Sequence, residues 1–225
     1  MVIKMDIVSF IKENKIVAIS RHVKPEKMVD VAKALAAGGI KLLEITFDQS
    51  SSSCISDTAF AISSVKEAMG NLICVGAGTV LTVEQAEAAH EAGADFALSP
   101  DTNVAVINAV KRLGIVSVPG AFTPSEILTA WNAGADIVKL FPAGVLGMPY
   151  MKAIRGPISH VPLMAVGGVD ENNVSTFLNG GFCSCGIGSN LVRNDLIEKD
   201  DYSQITAIAA AFVEASRKKD GKNNG

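Results

Sequence analysis

Short apolar runs alternate with longer amphipathic ones along almost the whole chain. The short runs are Ile16–Ser20, Lys41–Phe47, Leu72–Gly76, Phe96–Pro100, Ile115–Pro119, Ile137–Pro142, Pro162–Val166 and Cys183–Gly186. Each is rich in Val, Ile or Leu and has the length of a strand. Between them apolar residues recur at helical spacing, as in Pro25–Ala37, Val83–Ala92, Asn103–Leu113, Pro124–Ala133 and Glu171–Asn179. Helix-stopping glycines stand just before the next strand: Gly38–Gly39, Gly93, Gly114, Gly134 and Gly180–Gly181. Two of these lie in a repeated Ala-Gly-Ala-Asp, at 92–95 and 133–136.

Strands alternating with helices pair in parallel through crossover helices. Strands apolar on both faces fit a sheet covered by helices. Eight such units predict an α/β fold, a closed (β/α)8 or TIM barrel, with a doubly wound open sheet as the structural alternative. Residues 4–14 read as an extra N-terminal helix over the bottom of the barrel, and Ser203–Arg217 as the last helix. The whole span 1–217 reads as one catalytic domain, followed by a polar, disordered tail at 218–225. Asp48–Ser53 is a serine-rich loop after the second strand.

The length of 225 residues suits one barrel of this kind. A net charge of −3 leaves no basic patch on the scale that nucleic acid requires. Mean hydropathy is positive, yet no apolar run approaches the roughly 18 residues of a membrane span. Met1–Phe10 carries Lys4 and Asp6 and lacks the apolar core of a signal peptide. Of the cysteines Cys54, Cys74, Cys183 and Cys185, the last three lie in apolar stretches, as reduced core thiols do. These features predict a cytoplasmic protein with neither nucleic-acid nor membrane partners.

The active site of such a barrel sits where the C-terminal ends of the strands meet. Few ionisable residues fall there. Glu44 lies inside Leu42-Leu43-Glu44-Ile45-Thr46, and Lys139 inside Ile137-Val138-Lys139-Leu140-Phe141. Arg21 follows the first strand and Asp48 ends the second, while Lys41 and Asp136 stand at strand beginnings, on the far face. Alternation places Leu42, Glu44 and Thr46 on one face, and Ile137, Lys139 and Phe141 on one face. An inward Lys139 is a buried ammonium that needs a reason. Three readings are open: a Lys139–Glu44 ion pair that only holds the barrel, an outward lysine whose stem runs past a helix, and a nucleophilic amine. Schiff-base chemistry needs the free amine, and a lysine titrates near 10.4 in water. Desolvation and a neighbouring cation such as Arg21 both lower that value. Bringing it near 7 costs about 4 kcal/mol, within reach of burial in an apolar barrel. An adjacent ionised Glu44 acts the other way, so the two should communicate through water or substrate.

Three glycine clusters follow strands: Gly76-Ala77-Gly78-Thr79, Gly167-Gly168-Val169 and Gly186-Ile187-Gly188-Ser189. None matches a dinucleotide fingerprint or a Walker loop. The last two follow the seventh and eighth strands, where barrels build phosphate sites from backbone N–H groups. Tight strand-end turns are the other reading. The histidines His22, His90 and His160 have no metal-ligand spacing, and alternation puts Cys183 and Cys185 on one face as packing residues. No metal or organic cofactor is expected.

Glu44 in Leu43-Glu44-Ile45-Thr46, then Gly76-Ala77-Gly78-Thr79-Val80, Lys139 in Val138-Lys139-Leu140-Phe141-Pro142-Ala143, Gly167-Gly168 and Gly186-Ile187-Gly188-Ser189 occur in this order. Together they resemble the KDPG/KHG aldolases, which cleave 2-keto-3-deoxy-6-phosphogluconate or 4-hydroxy-2-oxoglutarate. The match runs from about residue 16 to 195. The resemblance implies a class I aldolase of carbohydrate metabolism, as in the Entner–Doudoroff route, and a homotrimer. It makes Lys139 the Schiff-base lysine and Glu44 the general acid/base. Arg21 and Thr79 match the groups that hold the pyruvyl carboxylate, and Pro100 and Phe141 match positions that shape the pocket. Gly167, Gly168, Gly188 and Ser189 match the phosphate end. Two positions depart from the phosphogluconate type: Asp48 replaces an Arg, and Val166 a Thr. Arg21 and Ala165-Val166-Gly167-Gly168 instead resemble the phosphogalactonate aldolases of the same superfamily.

Overall fold

A computed structural model describes residues 6–219. The strands are β1 (Ile16–Ser20), β2 (Leu42–Thr46), β3 (Cys74–Gly78), β4 (Phe96–Leu98), β5 (Val116–Val118), β6 (Gly120–Ala121), β7 (Val138–Leu140), β8 (Leu163–Val166) and β9 (Ser184–Ile187). All pair in parallel, in the order β5-β4-β3-β2-β1-β9-β8-β7-β6. The two ends of this ladder, β5 and β6, are consecutive in the chain and separated only by Pro119. On one side Ser99 N donates to Val118 O; on the other, Lys139 N donates to Pro119 O at 2.8 Å. The ring therefore closes through one strand that Pro119 interrupts, because proline has no N–H for the ladder. The expected eight-stranded barrel is the architecture found, not the open sheet.

The helices are α1 (Ile7–Asn14), α2 (Met28–Ala37), α3 (Cys54–Met69), α4 (Val83–Glu91), α5 (Val104–Arg112), α6 (Pro124–Asn132), α7 (Ala143–Arg155), α8 (Val174–Asn179), α9 (Asn194–Ile197) and α10 (Tyr202–Arg217). The expected N-terminal helix starts at Ile7 because the Asp6 carboxylate accepts from Val8 N and Ser9 N as its cap. Residues 4 and 5 of that expectation, and 220–225 of the expected tail, lie outside the described residues.

Two apolar layers result. The interior holds Val17, Ile19, Leu42, Phe96, Leu98, Val118, Ile137, Met164 and Val166, with Ile11 of α1 closing the bottom. The outer layer packs the other face of the strands, such as Ala18, Leu43, Val75 and Leu140, against the helices. Both strand faces are apolar because both are covered.

Three expectations need correction. The third strand begins at Cys74, not Leu72. Leu72 ends a 3-10 turn and is 61% exposed. Gly76-Ala77-Gly78 consequently lies within β3 and is not a loop after it: a Cβ on Gly76 would overlap the Phe96 ring. Cys183 and Cys185 do not share a face. The pleat begins at Ser184, so Cys183 borders the interior layer while Cys185 belongs to the outer one.

The repeated Ala-Gly-Ala-Asp does one job twice. Asp95 accepts from Val75 N (3.0 Å) and from Lys66 Nζ (2.8 Å). Asp136 accepts from Ser117 N (2.8 Å) and from Lys111 Nζ (2.6 Å). In each case an aspartate at a strand's beginning ties the preceding strand to the helix that leads into that preceding strand. We expect Asp136→Ala to destabilise the fold by about 1–3 kcal/mol, because it orphans the backbone N–H of buried Ser117. Urea unfolding measures this; a loss below about 0.5 kcal/mol contradicts the clamp.

Candidate active site

Lys139 points into the barrel. It shares its face with Ile137 and Phe141, which belong to or pack on the interior layer, and only 4% of it is exposed. Its Nζ lies 5.0 Å from the centroid of the Phe141 ring. Glu44 points into the same interior and is 1% exposed. Its carboxylate passes over β3 at Gly78, where any Cβ would collide with Glu44 Oε1. Gly78 is therefore the space in which the carboxylate stands. Glu44 Oε2 is sealed from solvent and has no hydrogen-bond partner.

Among the described residues, Lys139 and Glu44 form neither an ion pair nor a hydrogen bond with each other. The structural ion pair is thus not what is found, and neither is the outward lysine. Burial pushes the Lys139 amine below the usual lysine range; the nearby Glu44 carboxylate opposes this and the Arg21 guanidinium assists it. Burial likewise pushes the Glu44 carboxyl up, against the pull of Lys139 and Arg21. Each group is driven towards its neutral form by loss of water. Buried titratable groups displaced in this way are what mark a candidate functional site.

Above them the barrel mouth opens as a cleft of about 570 Å³. Of the residues expected in the site, Arg21, Phe141, Gly167, Gly168, Gly188 and Ser189 line it. Lys139 and Glu44 do not; Phe141, whose ring centroid is 5.0 Å from Lys139 Nζ, is itself part of the lining. Thr79 and Pro100 are also absent from the lining, half-buried just beyond the ends of β3 and β4. Thr79 has φ 56, the left-handed conformation rare for a β-branched residue, and its carbonyl accepts from Gln49 Nε2. Strain of this kind clusters at functional sites.

Gly167 and Gly168 have φ 87 and 77, so only glycine turns easily there. The turn brings Gly144 N to Gly167 O at 2.7 Å. Among the described residues the backbone N–H groups of Gly168, Ser189 and Asn190 have no acceptor. Asn190 Nδ2 donates to Val169 O and so ties the two glycine loops together. Unclaimed backbone N–H groups on glycine turns are the kind of donor that anion-binding concavities use.

The two departing positions are also placed. Val166 belongs to the interior layer and lines the cleft. Asp48 is not in the lining; it accepts from Ser50 N and Oγ and lies 3.3 Å from Nδ1 of His22, which does line the cleft. Sequence reasoning missed the segment after Ser189, where Asn190, Arg193, Asn194 and Asp195 also line the cleft. The signal was a charged Arg193 four residues beyond the last glycine cluster, at a distance from the strand end that alternation does not reach. Among the described residues no group of His, Cys, Asp and Glu could hold a metal ion, and no helix is long and apolar enough to cross a membrane.

The model of the family "Aldolase: KDPG and KHG aldolase" matches residues 7–208. The chain belongs to the KDPG and KHG aldolase family. Its members are aldolases, and the protein is accordingly a lyase. It is 37% identical to the KHG/KDPG aldolase of Escherichia coli over 86% of this chain and 88% of that one. It is 36% identical to a probable 2-dehydro-3-deoxy-6-phosphogalactonate aldolase of Rhizobium meliloti, over 89% of this chain and 92% of that one. Among solved structures, the KDPG aldolase of Legionella pneumophila superposes with a TM-score of 0.82 at 28% identity, covering 93% of this chain and 99% of the other. That structure holds pyruvate captured at low pH as a covalent carbinolamine intermediate.

The sign of the lysine shift gives a test on stability. A lysine whose native titration lies below its unfolded value of about 10.4 penalises folding most at low pH, and the penalty fades as pH rises to about 10.4. Lys139→Met should therefore gain most over the native chain at neutral pH or below, with the gain shrinking towards pH 10. Urea midpoints of both chains at pH 7 and 10 check this; a difference independent of pH contradicts a titration lowered by burial.

Proposed function

We propose that this aldolase works through a Schiff base on Lys139 and cleaves a 2-keto-3-deoxy-6-phospho sugar acid, 4-hydroxy-2-oxoglutarate, or both. One observation carries the reading: a buried lysine that no carboxylate claims, beneath a cleft rimmed by unclaimed backbone N–H groups. The Lys139 amine attacks the C2 ketone to give a carbinolamine. Glu44, whose titration burial raises, gives the proton with which the hydroxyl leaves as water. The resulting iminium accepts the electrons of the C3–C4 bond as that bond breaks. Glu44, now a carboxylate, takes the proton of the C4 hydroxyl, directly or through one water. Glyceraldehyde 3-phosphate or glyoxylate departs. The enamine takes a proton at C3, and water releases pyruvate from Lys139. The chemistry needs no metal or organic cofactor.

Around the reacting carbons, Arg21 and Thr79 hold the keto-acid carboxylate, and Pro100 and Phe141 shape the pocket. Gly167, Gly168, Gly188 and Ser189 receive the phosphate. Arg21 and Val166 on the cleft wall favour the phosphogalactonate substrate as the second reading. The same reading makes the protein a cytoplasmic homotrimer; exposed apolar side chains such as Phe122, Leu128 and Val145 suit burial between subunits.

Borohydride added with pyruvate should leave a stable adduct on Lys139, and Lys139→Ala should abolish cleavage while keeping the fold. Glu44→Gln should slow turnover about 100- to 10,000-fold yet still allow the adduct. A lysine left unmodified in an active enzyme overturns the scheme. A lactate dehydrogenase-coupled assay on the phosphogluconate, phosphogalactonate and hydroxyoxoglutarate substrates ranks them.

A further inference from the structure

The cleft rim contains an arginine that the proposed chemistry leaves unused. Arg193 follows the last glycine turn and lines the same cleft as Gly168 and Ser189. Its guanidinium is held by Asp195 along one edge: Nε donates to Oδ1 and Nη2 to Oδ2, both at 2.8 Å. A guanidinium has five N–H donors and presents two forks. Asp195 occupies the Nε/Nη2 fork. The Nη1/Nη2 fork keeps three N–H groups, and Nη1 has no partner among the described residues. That free fork matches the spacing of two oxygens of a phosphate.

The segment is also anchored for this task. Asn194 Nδ2 donates to Arg21 O at the end of β1, and Leu196 N and Ile197 N both donate to Arg193 O. Asp195 is the sole carboxylate among the lining residues, and Arg193 already claims both of its oxygens. What remains near the glycine turns is positive charge and unclaimed N–H groups.

We infer that Arg193 is a specificity residue that binds the phosphate of the substrate through its free fork, and that Asp195 is the positioning residue that turns this fork to the cleft. The inference rests on the aldolase reading and deepens it: the glycine turns supply neutral donors, and Arg193 supplies the charge that separates phosphorylated from unphosphorylated aldehydes.

The test uses the full-length enzyme with pyruvate and either D-glyceraldehyde 3-phosphate or D-glyceraldehyde as the partner aldehyde. Arg193 is half-exposed, so its replacement leaves the core intact. Arg193→Gln should lower kcat/KM for the phosphorylated aldehyde about 10- to 100-fold, the size expected for losing hydrogen bonds to a charged group. It should leave kcat/KM for D-glyceraldehyde within about twofold. Arg193→Lys should restore only part of the loss, because a point charge lacks the fork. Asp195→Asn should raise KM for the phosphorylated aldehyde without changing kcat for D-glyceraldehyde. Calorimetry with sn-glycerol 3-phosphate supplies a readout independent of turnover: binding should weaken by the same factor in Arg193→Gln. An unchanged ratio between the two aldehydes, or unchanged glycerol 3-phosphate binding, overturns the assignment. Faster use of the phosphorylated aldehyde by Asp195→Asn also overturns it, because Asp195 would then be a competitor for the fork. Loss of condensation with both aldehydes in the native enzyme, with glycerol 3-phosphate binding still sensitive to Arg193, refutes the aldolase reading and leaves the phosphate contact standing.

Discussion

Everything in this molecule that concerns chemistry depends on keeping one amine and one carboxyl inside a closed apolar barrel without letting them pair. A tight buried ion pair would fix Lys139 as an ammonium, which is no nucleophile. The barrel avoids this by geometry. Glu44 stands in the space left by Gly78 on the neighbouring strand, and Lys139 lies beside the ring of Phe141. Both groups then meet the cost of lost water by moving towards their neutral forms. The unpartnered Oε2 of Glu44 is what that arrangement costs in hydrogen bonding.

The two ends of the barrel divide the work. At the bottom, Asp95 and Asp136 tie strands to helices, and Ile11 closes the interior. At the top, the loops after the strands carry unclaimed N–H groups, left-handed turns and charged side chains. Stability at one end and recognition at the other is the usual economy of this architecture. Within the top, a second division separates the buried Lys139 and Glu44 from the rim, where the glycine turns, Arg193 and Asp195 line the cleft. On the proposed mechanism, changes on the rim can therefore alter which substrate is preferred while the chemistry at Lys139 stays the same.

Much of this was legible in the sequence because the barrel imposes strict periodicities. Alternation placed Ile137, Lys139 and Phe141 on one face, and Leu42 and Glu44 on one face; that both faces turn inward is seen only in the folded barrel. The helix-stop glycines and the paired aspartates of Ala-Gly-Ala-Asp marked where strands begin. Where the reading failed, a local rule lost to packing. Gly76 and Gly78 look like turn residues, yet they are strand residues whose missing side chains make room for Phe96 and Glu44. The run Leu72-Ile73-Cys74-Val75 has no internal mark of where the strand begins, so its start was set two residues early. Helices α3 and α7 went unnamed. The first follows a serine-rich loop, and the second contains Pro149 and a left-handed Gly147, which break the helical pattern. Arg193 and Asp195 escaped because they follow the last strand at a distance that only the folded chain brings back to the cleft.

The most direct test of the central claim is the titration of the Lys139 amine itself. Carbon-13 NMR of the lysine ε-carbons, with the Lys139 signal assigned by its absence from Lys139→Met, follows that one group from pH 5 to 11. A midpoint below the roughly 10.4 of a free lysine is expected, rising towards that value when Phe141→Ala opens the ring side of the amine to water with Glu44 left in place. A midpoint at about 10.4 in the native enzyme would mean that the amine is an ordinary ammonium, and the explanation offered for its reactivity would be wrong.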